Sequence, residues 1–187
     1  MIVFILLGCI ESKTKKELEA AREMTNYHGI EEGASWTYRD DGADFDTGTS
    51  PPDDAALILA HHVGNGFIEL RRGVRWVEAE PLGHLEFSVT EQALQLISWE
   101  LPTGSGSGNY LLSDELPDEG EVFTSEDWSC TVYRPEYLWT YYGYYDDVVI
   151  LDCTGGGLSG YYAFGKGAGL IRFEGTEGYS LDLVAPW

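Results

Sequence analysis

Gly160 to Lys166 carry the G-x-x-x-x-G-K spacing of a loop that wraps phosphates with its backbone N–H groups. That chemistry needs small residues inside the loop, a Ser or Thr after the Lys to hold magnesium, and a helix whose N-terminus faces the anion. Here the loop interior is Tyr-Tyr-Ala-Phe, Gly167 follows Lys166, and the next segment, "AGLIRFEG", is β-like. Every requirement fails. The stretch reads as two strands joined by a glycine turn, with Lys166 as an exposed turn cation, and no cofactor is expected.

The other reactive residues are no better placed for catalysis. His61 and His62 are adjacent, so on a strand they point to opposite faces and cannot grip one metal together. His28 and His84 have no near partners in the sequence, and neither H-E-x-x-H nor the G-x-S-x-G nucleophile turn occurs. Glu78 and Glu80 would share a strand face and could serve glycoside hydrolysis, but among 32 acidic residues such pairs arise by chance. Asp40, Asp41, Asp44 and Asp46 could offer oxygen ligands to calcium, although their spacing is not that of an EF-hand loop. Asx-turn chemistry accounts for them equally well. The most distinctive stretch is "YLWTYYGYYDD", in which Tyr137, Trp139, Tyr141 and Tyr142 could stack on sugar rings or line an apolar pocket. The same residues could equally be the sheet's own core and cross-strand pairs.

The elements that must position these groups are strands. Aromatics make up 13% of the chain and glycine is abundant, which suits short twisted strands. Trp36 and Tyr38 fall on one face of an opening strand, and Leu85, Phe87 and Val89 on one face of a later one. "AALILAHHV", "FIELRR" and "VRWVEAE" read as strands, with Gly64-Asn65-Gly66 a hairpin turn because these residues tolerate positive φ. "PTGSGSGN" reads as a flexible loop tip. No segment after residue 30 keeps a helical period. The expected fold is all-β or β-dominated: a meandering antiparallel sheet forming a curved half-barrel or a closed barrel over residues 33–187.

Charge and cysteines bound the partners. The formal net charge is −21, and residues 1–30 are balanced, with Lys13, Lys15, Lys16 and Arg22 against Glu11, Glu17, Glu19 and Glu23. The excess therefore lies on the β domain, which argues against nucleic acid as a partner. "MIVFILLGC" is an apolar run too short to span a bilayer, followed at once by polar residues. It could be a core strand with Cys9 a buried thiol, but no turn residue separates it from the helix-prone "KTKKELEAAREM". As a secretory signal segment, residues 1–9 precede a tether or short helix over residues 10–32. Cys130 and Cys153 are then the remaining pair, and a disulfide between them suits export. Two buried free thiols are the other possibility.

Leu6-Leu7-Gly8-Cys9 resembles the lipobox of bacterial lipoproteins, in which the Cys carries lipid. Together with "GASWTYR", "YYDDVVILDC" and "YYAFGKGAGLIRFEG…YSLDLV", it makes the chain similar to a class of uncharacterised bacterial envelope lipoproteins. These open on a Gly-x-x-Trp-x-Tyr strand and close on a Tyr-Tyr-Ala-x-Gly-x-Gly-Leu-Ile hairpin. The resemblance implies an envelope address, facing the periplasm or the cell exterior, and a fold similar to half-barrel lipoprotein carriers. It supplies no catalytic residue. The expectation is a non-enzymatic, membrane-anchored protein whose β domain holds an apolar ligand or lipid, or binds an envelope protein. A surface module that recognises glycans or proteins through exposed aromatics, with or without calcium, is the second reading, and a hydrolase using an acid pair the third.

Overall fold

A computed structural model describes residues 33–40, 56–73, 75–90, 93–102, 104–113, 116–125, 127–140, 143–155, 158–175 and 180–186. Alternation builds the strands. In β1 (Ser35–Asp40) Trp36 and Tyr38 point inward, and each finds a partner across the ladder to β2 (Ala56–Gly64): Trp36 faces Ala60 and Tyr38 faces Ile58. The turn into β3 (Phe67–Arg72) has Asn65 and Gly66 at positive φ, as its sequence requires. His62 locks that turn from inside, since its buried Nε2 accepts the Gly66 N–H at 2.9 Å.

The meander continues through β4 (Glu80–Val89), β5 (Leu94–Leu101) and β6 (Gly104–Ser113). After a break come β7 (Val122–Ser125), β8 (Trp128–Tyr133), the two-residue strands β9 (Leu138–Trp139) and β10 (Tyr144–Tyr145), and β11 (Val148–Gly155). β12 (Gly160–Gly165), β13 (Gly169–Gly175) and β14 (Ser180–Pro186) complete the chain. Twelve strands form one antiparallel sheet in the order β6-β5-β4-β3-β2-β1-β14-β13-β12-β11-β8-β7, and β9 and β10 pair separately. Bulges in several ladders, as at Leu70/Arg71 and Ala163/Phe164, bend the sheet round on itself. The result is a nearly closed barrel with one unsealed seam, where β6 and β7 face each other without a ladder. Tyr110 and Trp128 bridge that seam through their rings, 4.8 Å apart.

The barrel is filled by its own side chains. Phe87 and Leu96 from the first half meet Trp128, Tyr162, Phe164 and Phe173 from the second, all essentially without solvent contact. Cys130 and Cys153 stand directly opposite each other in the β8–β11 ladder, on the inward face, and form the expected disulfide.

Two expectations are corrected. "PTGSGSGN" is not a loop tip, because Gly104 to Asn109 run inside β6. The composition misleads because the inner face is covered by borrowed rings: Trp99 lies over Gly106 and Tyr110 over Gly108, where a Cβ would sit 2.9 and 2.7 Å from ring atoms. "VRWVEAE" is not one strand either. Trp76–Glu78 form a 3-10 turn and β4 starts at Glu80, so Glu78 and Glu80 share no strand face.

Candidate functional site

Exposed aromatic side chains are not scattered over this barrel. Among the described residues, the Trp, Tyr and Phe side chains left well exposed are Tyr133, Tyr137, Trp139, Tyr144 and Tyr161, at 40–61% of full exposure. All five belong to the stretch from the end of β8 to β12. Two come from the β9–β10 hairpin, where Trp139 faces Tyr144 across the ladder with ring centroids 5.5 Å apart and planes tilted by 49°.

The hairpin's alternation explains which side is wet. Leu138 and Tyr145 form the opposite cross-strand pair, and both pack against the core. Tyr145 lies so close to β12 that a Cβ on Gly165 would come within 3.0 Å of its ring. The turn is tied at its ends: Thr140 N–H donates to the Gly143 carbonyl at 2.7 Å, and Gly143 N–H donates to Thr140 Oγ1 at 3.3 Å. Arg172, on the outer face of β13, fastens the hairpin to the barrel by donating from Nη2 to the Trp139 carbonyl at 2.5 Å. The same guanidinium donates from Nε to the buried Asp182 at 3.1 Å, so it is held from behind while it holds the hairpin. The rings therefore sit on a fixed support, which lowers the entropy cost of binding.

Tyr133 and Tyr161 are exposed on β8 and β12, the two strands that flank β11. Partial burial comes first, followed by the Asp152 carboxylate, Tyr133, the Tyr161–Asp152 hydrogen bond and Glu174, and together they hold the Tyr161 hydroxyl above its ordinary range. It stays protonated and can donate.

Lys166 sits in the turn between β12 and β13, exposed, with its ammonium 3.3 Å from Asp147 and its N–H on the Asp147 carbonyl. Arg134 approaches the other carboxylate oxygen of Asp147 at 3.6 Å. The near-match to a phosphate loop is thus a hairpin turn whose cation already has a carboxylate.

Of the aromatic residues singled out in the sequence, Tyr137 and Trp139 are among the exposed rings, whereas Tyr141 and Tyr142 lie outside the described residues. Tyr133, Tyr144 and Tyr161 were missed, although the doublets Leu138-Trp139 and Tyr144-Tyr145 around Thr140 and Gly143 carry the alternation of a hairpin. Asp40 is the last residue of β1, and Asp41, Asp44 and Asp46 lie outside the described residues, as do Cys9 and His28. Among the described residues no group of three or more His, Cys, Asp or Glu side chains could hold a metal. His61 and His62 do point to opposite faces: His61 bonds Ser35 Oγ at 2.7 Å and meets the Trp76 ring edge-on, while His62 serves the Gly66 turn. His84 stacks on Phe67 and lies 3.7 Å from Glu100. Comparison with protein-family models, curated proteins and solved structures finds no match to this chain.

Proposed function

We propose that this protein is a non-enzymatic recognition module of the bacterial cell envelope, held at the membrane by lipid on Cys9, which engages a partner through the aromatic face around the β9–β10 hairpin. The observation that carries the reading is that the well-exposed rings among the described residues all belong to the stretch from the end of β8 to β12, with Trp139 and Tyr144 paired on the β9–β10 hairpin. Aromatic residues on a rigid support supply large contact area with little entropy to lose, which is why they dominate binding hot spots. The Cys130–Cys153 disulfide supports an oxidising compartment. An apolar cargo inside the barrel is less well supported, since large side chains from both halves occupy the interior.

Photocrosslinking tests the reading. A photoreactive residue replacing Tyr144, in the anchored protein in envelope preparations, is expected to give a discrete adduct, and the same residue at exposed Val63 on β2 is not. Equal or absent labelling at both positions would refute an aromatic docking face. Native mass spectrometry of the exported protein adds the complementary readout: a co-purifying lipid-sized mass would return the weight to carriage inside the barrel.

A further inference from the structure

We propose that the aromatic face takes a cationic partner, the lysine and arginine side chains of a basic polypeptide segment, through cation–π contacts with Trp139 and Tyr144 and through the carboxylates that flank them. This rests on the face being a recognition surface and adds the charge of what it recognises.

Cations are attracted to the faces of Trp and Tyr rings, Trp most strongly. Trp139 and Tyr144 are exposed and inclined to each other at 5.5 Å, so one guanidinium or ammonium can lie against both. In the sequence, a carboxylate stands on either side of the hairpin. Glu136 precedes Tyr137, Asp146 follows Tyr145, both are exposed, and neither has a hydrogen bond or ion pair among the described residues.

The protein's own cations nearby are already committed. Arg134 and Lys166 converge on Asp147, and Arg172 is engaged by Asp182, by Glu174 at 3.7 Å and by the Trp139 carbonyl. Among the described residues, no ion pair links any of these three to Glu136 or Asp146. The wider field has the same sign, since the net charge of −21 lies beyond the balanced first thirty residues, and such a field raises the encounter rate of cations. A neutral glycan could use the rings but would gain nothing from this field, and an anionic one would be repelled by it.

The test uses the full-length exported protein and three fluorescein-labelled probes: an alternating Ser-Arg dodecapeptide, the matching Ser-Gln peptide, and a panel of neutral oligosaccharides. Fluorescence anisotropy at physiological salt is expected to show binding of the Ser-Arg peptide alone. Trp139→Ala should weaken it roughly three- to thirtyfold, with Trp139→Phe between the two. The double change Glu136→Gln, Asp146→Asn should weaken it severalfold and flatten its salt dependence, while Glu80→Gln, on a distant strand, should leave it unchanged. Peptide binding insensitive to Trp139→Ala and to the Glu136, Asp146 double change would mean diffuse attraction to an acidic body and would overturn the proposal. Trp139-dependent binding of a neutral oligosaccharide in place of the peptide would overturn the cationic partner and leave the recognition face standing. No Trp139-dependent binding of any probe would overturn the cationic partner, and crosslinking at residue 144 would then decide whether the face itself falls.

Discussion

Reducing the Cys130–Cys153 disulfide should cost this domain a large part of its stability without changing its native contacts. The two cysteines are 23 residues apart in sequence and directly opposed in one ladder, so the bond pins β8 to β11 and closes the loop that contains the hairpin. Confining a loop of that length in the unfolded chain is worth about 3 kcal/mol. For a chain of this size that corresponds to a fall in melting temperature of roughly 6–12 °C. Both cysteines are fully buried, so a reductant should reach them only through opening of the barrel. Dithiothreitol is therefore expected to leave the native protein oxidised, and to reduce it readily when urea is added. The comparison to make is urea unfolding of oxidised protein against protein reduced while unfolded and then refolded. A built-in reporter follows the bond, because the Trp128 indole N–H lies 2.7 Å from the Cys130 sulfur and a disulfide quenches a neighbouring indole. Emission should rise on reduction. Free thiols in exported protein, or a stability difference below about 1 kcal/mol, would refute the loop-entropy reasoning.

Three further outcomes are expected. Gly66→Ala places a Cβ 1.7 Å from the Phe87 carbonyl oxygen at a φ of +78°, and should cost at least ~2 kcal/mol in denaturant unfolding; Gly167→Ala, at +75° but with nothing within 4 Å, should cost only ~1 kcal/mol. Equal losses would show that the close approach at Gly66 plays no part. Burial raises the hydroxyl pKa of Tyr38 and Tyr162, so the folded protein keeps both neutral while the unfolded chain ionises them near pH 10. Their contribution is complete below that pH and is lost as pH rises further, by about 2 kcal/mol for the two together between pH 10 and 11; a stability that stays flat over that interval would contradict it. Metabolic fatty-acid labelling should mark the wild-type protein and fail in Cys9→Ala, and label that persists in the variant would remove the lipid anchor from the proposed function.

How far the sequence reveals this molecule depends on where each residue's environment is set. Trp36 and Tyr38, the Gly64–Gly66 turn and the inward cysteines are legible because alternation and turn chemistry are local properties. β6 is not, because "GSGSGN" has the composition of a linker and is made a strand by rings supplied from Trp99 and Tyr110. Which side of the aromatic hairpin is exposed is illegible for a different reason. Leu138 and Trp139, or Tyr144 and Tyr145, are interchangeable as hydrophobic residues, and the side that is buried is fixed by Gly165 making room for Tyr145 and by Arg172 reaching the Trp139 carbonyl. Both contacts join positions twenty or more residues apart in the sequence, beyond any periodicity in the chain. It follows that the wet face of the hairpin is a product of the barrel. Loosening Arg172 should release the rings from their support even though Arg172 itself need touch no ligand.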